Sequence, residues 1–168
     1  MKIKLLVLSI IVLVGALAGT SLGCSCAERD QKALYDKADW VFLAEVSGTK
    51  LIKNEAAHQP GAMLKGAETY TVGPEGTDVV EASFRVIEYF KKGSAPINVV
   101  RDLPFGIGNC SIPLLSGMEY LFFVQSSKGP LKNYVGMCTG SAAVNVEGND
   151  FPKLLQQLRD FAAEGSNK

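Results

Sequence analysis

Four cysteines are the side chains of this chain best suited to chemistry, and two of them, Cys24 and Cys26, stand one residue apart in the stretch SLGCSCAERD. Redox dithiols are normally spaced CxxC beside a helix, and cysteines separated by a single residue bond each other poorly. Each is therefore expected to reach elsewhere, Cys24 and Cys26 to Cys110 and Cys138 in one order or the other. Disulfides need an oxidising compartment, and the first residues supply a route to one. Lys2 and Lys4 precede an apolar run from Leu5 to about Val14, and small residues follow through Gly23. That is the pattern of a signal peptide, too short for a confident membrane span. Ser21 and Gly23 fit cleavage just before Cys24, which makes residues 1–23 the leader. Ala16 and Ala18 fit a cut five residues earlier. Lipid attachment at Cys24 is a third route, weakened because Ser21 stands where such sites usually carry Leu.

Other chemistry is poorly supplied. A protein-held zinc needs several ligands, and the single histidine, His58, lies in a Gly-rich stretch where it reads as a solvated loop residue. One loop histidine also serves Cys-His catalysis badly when the cysteines are oxidised. There is no nucleophile elbow, phosphate loop or dinucleotide fingerprint, and Gly106-Ile107-Gly108 is too short to count. Glu45, Glu81, Glu88 and Glu119 fall on or beside expected strands, where solvent-facing positions explain them. An enzyme is not expected, and no cofactor is implied. Basic and acidic side chains number 17 each, and losing Lys2 and Lys4 with the leader leaves a slight acidic excess. The aromatic stretches RVIEYF and EYLFFV therefore lack the basic groove of a nucleic-acid platform and read as core.

The elements that must position the cysteines are mainly strands. AERDQKALYDKA, from Ala27 to Ala38, predicts a short helix, and WVFLAEV, 40–46, a buried strand. Residues 47–76, rich in Gly, read as a long loop with an extended piece at ETYTV. From Thr77 to Gly93 a long strand sets Val80, Ala82, Phe84 and Val86 against Glu81, Ser83 and Arg85. INVVRDL, GMEYLFFVQ and NYVGMC supply three more strands, with the irregular PFGIGNCSIP around Cys110. FPKLLQQLRDFAAE spaces Phe151, Leu154, Leu155, Leu158, Phe161 and Ala162 helically, with Pro152 tolerated in the first turn. The expected fold is one mainly β domain over 24–168, a five-stranded OB-fold-like barrel with a short N-terminal and a C-terminal helix.

A start of Cys24-Ser25-Cys26, a short helix, Ala38-Asp39 before the first strand, a long strand ending IEYFKKG, and isolated cysteines in a connector and after the last strand resemble the inhibitory domain of the tissue inhibitors of metalloproteinases. That domain has the netrin-like fold. The likeness runs from residue 24 to about 163, without a gap through Asp39 and without a distinctive match in the long loop. It implies the pairings Cys24–Cys110 and Cys26–Cys138, each closing a loop of roughly a hundred residues and worth on the order of 4 kcal/mol in chain entropy. It departs from the family in lacking a third disulfide, Asp36 standing at one of its positions, and in lacking the second, cysteine-rich domain.

The implied activity has a physical basis. A catalytic zinc keeps an open position beside three protein ligands, and an α-amino nitrogen with the carbonyl oxygen of the same residue can chelate it there. With an ordinary pKa of about 7.7–8.0, that amine loses its proton easily to a metal near neutral pH. Termini usually fray, and disulfides on the first and third residues would remove that freedom and lower the ordering cost of binding. The resemblance thus implies a secreted inhibitor of zinc metalloendopeptidases. Its backbone N and O of Cys24 meet the protease's zinc, Ser25 enters the primed-side pocket, and a contact ridge is formed by Cys24, Ser25, Cys26, Ala27, Gly108, Asn109 and Cys110. The partner is the protease, with no nucleic acid and no membrane unless Cys24 is lipidated; in a bacterium the location would be periplasmic or lipid-anchored. The alternative is a non-inhibitory netrin-like binding module that the disulfides merely staple.

Overall fold

The apolar run WVFLAEV opens strand β1 (Trp40–Ile52), and its lack of alternation has a cause: both faces of this part of the strand are covered. The structure, a computed structural model, describes residues 26, 30–53, 78–105, 110–126, 132–144 and 150–165. The leader, His58, the extended piece at ETYTV and residues 106–109 lie outside these. Strands β2 (Val79–Lys91), β3 (Val99–Asp102), β4 (Glu119–Val124) and β5 (Ala142–Ala143) follow, with helix α1 (Gln31–Lys37) before β1 and α2 (Phe151–Gly165) at the end. The five strands form one sheet in the order β3-β2-β1-β4-β5, every neighbouring pair antiparallel.

Two features turn that sheet into a barrel. The ladder between β1 and β2 shifts register between Val41 and Phe42, Leu43 and Ala44, and Val46 and Gly48, and such bulges bend and twist a strand pair. The open side is then bridged at Tyr134. It pairs in parallel with Arg101 at the end of β3 and antiparallel with Gln125 just beyond β4. The bonds are Arg101 N to Asn133 O at 3.0 Å, Val135 N to Arg101 O at 2.9 Å, and a reciprocal pair between Gln125 and Tyr134 at 3.2 Å. The circuit β1-β2-β3-Tyr134-β4 closes on β1 through four strands and a bridging residue, with β5 added beside β4, which gives the small barrel-like, mainly β fold with flanking helices that the sequence predicts.

The barrel interior holds Phe42, Val46, Val100, Tyr120, Phe122 and Val135. A second core lies outside it, where Val41, Leu43, Leu121 and Phe123 meet Leu34 and Tyr35 of α1 and Phe151 and Leu158 of α2. Asp30 caps α1, accepting from Lys32 N and Ala33 N, and Lys91 donates to the Tyr35 and Asp36 carbonyls at its other end. Asp36 itself pairs with Lys32 one turn back.

Three expectations need correction. Residues 47–52 belong to β1 and not to the loop, because β2 offers them a ladder as far as Ile52 opposite Val79; local apolarity was too thin to signal it. The expected strand NYVGMC pairs only at Tyr134 before turning into a 3₁₀ turn, Met137–Thr139, and β5 comes later. Glu81 is not solvent-facing. It is buried between Lys50, at 2.8 Å, and Arg101, at 2.7 Å, and those cations hold its carboxyl below the usual range.

Candidate functional site

Cys138 sits in the 3₁₀ turn Met137–Thr139, and a small polar network fixes that turn. Thr139 Oγ1 donates to the Gly136 carbonyl at 2.9 Å and lies 2.9 Å from Ser141 Oγ, which accepts from Phe123 N in β4. Gly140 ends the turn at φ 98°, a left-handed backbone that favours glycine. At Gly136 the constraint is space, since a Cβ there would stand 2.5 Å from the Tyr134 hydroxyl oxygen and 3.3 Å from the Cys110 carbonyl.

From this anchored turn Cys138 bonds Cys26, across 112 residues of sequence, with Cα atoms 5.5 Å apart. This is the order of pairing that the family resemblance implies. Cys110 is disulfide-bonded as well, and its carbonyl accepts from Met137 N at 2.8 Å. The Sγ atoms of Cys26, Cys110 and Cys138 all lie within 4.8 Å of one another in a half-buried cluster. Three sulfurs at that spacing would suit a soft metal as thiolates, but sulfur held in disulfides is not that ligand. The cluster is a junction of crosslinks.

The connector after Cys110 is held from below. Asp102, fully buried at the end of β3, accepts from Leu103 N at 2.7 Å and from Ile112 N at 2.6 Å. Burial pushes its carboxyl up to about 7, although the two N–H groups pull the other way. Burial, and next the Asp102 charge, raise the Tyr134 hydroxyl. Further on, the Tyr120 hydroxyl donates to the Pro113 carbonyl and accepts from Leu115 N at 2.9 Å. On the N-terminal side Asp39, of the Ala38-Asp39 pair, accepts from Ser126 N at 2.6 Å while its own N–H bonds Val124 O.

Of the expected ridge, Cys26 and Cys110 are brought together, with Cys138 beside them. Cys24, Ser25, Ala27, Gly108 and Asn109 lie outside the described residues. Asp102, Tyr120 and Tyr134 were not among the sequence candidates. One signal for Asp102 was present: strand alternation puts it on the same face as Val100, so a carboxylate was due to point inward. No helix among the described residues is long and apolar enough to cross a membrane. No family model matches the chain, and no curated protein matches it in sequence.

Proposed function

We propose that the protein is an exported inhibitor of zinc metalloendopeptidases, in which the free α-amino nitrogen and carbonyl oxygen of Cys24 chelate the target's catalytic zinc. The observation that carries this reading is the sulfur cluster. The Cys26–Cys138 crosslink ties the third residue of the expected mature chain to a turn braced by the barrel, directly beside the disulfide of Cys110. Cys110 is itself disulfide-bonded, and the family resemblance pairs it with Cys24. That pairing would clamp the chelating residue itself, and it would consume the sulfur that lipid attachment needs. Crosslinks of this kind fit an oxidising, extracytoplasmic location. Preorganising the terminus lowers the ordering cost on binding, the general route from rigidity to affinity.

The test is titration of zinc endopeptidases with mature protein whose N-terminus has been verified as Cys24, expecting 1:1 inhibition. A variant with one alanine added ahead of Cys24 should weaken inhibition by at least about 100-fold, since the extension removes the amine from the chelating position. Equal inhibition by both forms would rule out chelation, and failure against every enzyme of the panel would remove the inhibitor reading for those enzymes.

A further inference from the structure

We infer that Asp102 is the positioning residue of the Cys110 connector: one buried carboxylate fastens the segment leaving β3 to the segment leaving Cys110, and so sets where Cys110 meets the Cys26–Cys138 crosslink. The inference rests on the inhibitor reading for its functional consequence, though not for its structural one. The bonds to Leu103 N and Ile112 N, at 2.7 and 2.6 Å, use different oxygens of the carboxylate. They therefore join the backbone just after β3 to the backbone two residues beyond Cys110. Two further bonds complete the frame, Ser111 Oγ to the Pro104 carbonyl at 3.4 Å and Met137 N to the Cys110 carbonyl at 2.8 Å. Tyr134, on the segment that closes the barrel, feels the carboxylate: after burial, the Asp102 charge is what raises its hydroxyl.

A carboxylate is an unusual choice for such a buried place, because desolvating it is costly. An uncharged isostere would relieve that cost but could not do the same work. Both oxygens face N–H donors, so the amide of Asn sets its own NH₂ against one donor in either orientation. The carboxylate thus trades stability for an exact hold on two donors at once, and this separates a positioning role from a packing role by sign.

The experiment compares wild type with Asp102→Asn as mature, oxidised full-length chains, using three readouts: thermal unfolding at pH 8, amide hydrogen exchange at Leu103 and Ile112, and inhibition of a zinc endopeptidase that wild type inhibits. The expected result is unchanged or raised thermal stability, exchange at Leu103 or Ile112 faster by about 10-fold or more, and inhibition weaker by about 10- to 100-fold. Asp102→Ala, which frees both donors, should speed exchange at both amides. Wild-type exchange and wild-type inhibition in Asp102→Asn would overturn the proposal. If wild type inhibits no protease, the function proposed above fails, while the exchange rates still decide whether Asp102 holds the connector. Weaker inhibition accompanied by a matching loss of global stability would assign Asp102 a packing role instead.

Discussion

Asp102 also governs how the protein responds to pH. An aspartate in an unfolded chain titrates near 3.9, whereas burial pushes this one up to about 7. Between those values the folded protein keeps a proton that the unfolded chain has released, so Asp102 lowers stability as pH rises from about 4 to about 7 and restores it on acidification. The contribution is at most about 4 kcal/mol. Urea unfolding at pH 5 and pH 8 should show it, and Asp102→Asn should flatten the difference. Glu81 acts in the opposite sense: hydrogen bonds from Lys50, then Arg101, depress its carboxyl. Its stabilisation is present above the ordinary carboxylate range and fades only as pH falls through the lowered value, so the two windows lie on either side of about pH 4. Gly136 offers a purely steric test. Gly136→Ala would drive a methyl into the Tyr134 hydroxyl and the Cys110 carbonyl, and should destabilise by about 1–3 kcal/mol in thermal melts.

Among the elements, the connector between Cys110 and β4 depends on Tyr120 as well as Asp102. Tyr120→Phe leaves the Pro113 carbonyl and Leu115 N–H without their hydroxyl partner. It should cost about 1–3 kcal/mol, measured by denaturant unfolding, with little change in the barrel's overall secondary structure by circular dichroism. Strand β4 and helix α2 were legible in the sequence because one property decides each of them: EYLFFV has strand composition and length, and Phe151, Leu154, Leu155 and Leu158 repeat on one helical face. Elements decided by distant partners were not. Residues 47–52 are a strand because β2 runs alongside them, and Leu51 and Ile52 remain exposed there. The last strand is broken because a crosslink, two glycines and the Thr139–Ser141 network draw the chain into a turn. At the site, the cysteine pattern pointed to the crosslinks, whereas Asp102 was hidden by the general rule that strand carboxylates face water.

At the scale of the whole molecule, the Cys26–Cys138 bond closes most of the described chain into one covalent ring. Replacing both cysteines by serine should lower stability by about 2–5 kcal/mol, read from urea midpoints under oxidising conditions. Cys138 lies just beyond Tyr134, the residue whose pairing with Arg101 and Gln125 shuts the barrel. The same few residues therefore serve as zipper pull for the cylinder and as mooring for the front of the chain. Opening the wall and freeing the turn that carries Cys138 become one event while the disulfide itself stays closed, so under oxidising conditions the amides of that turn should lose protection in the same thermal transition that melts the barrel.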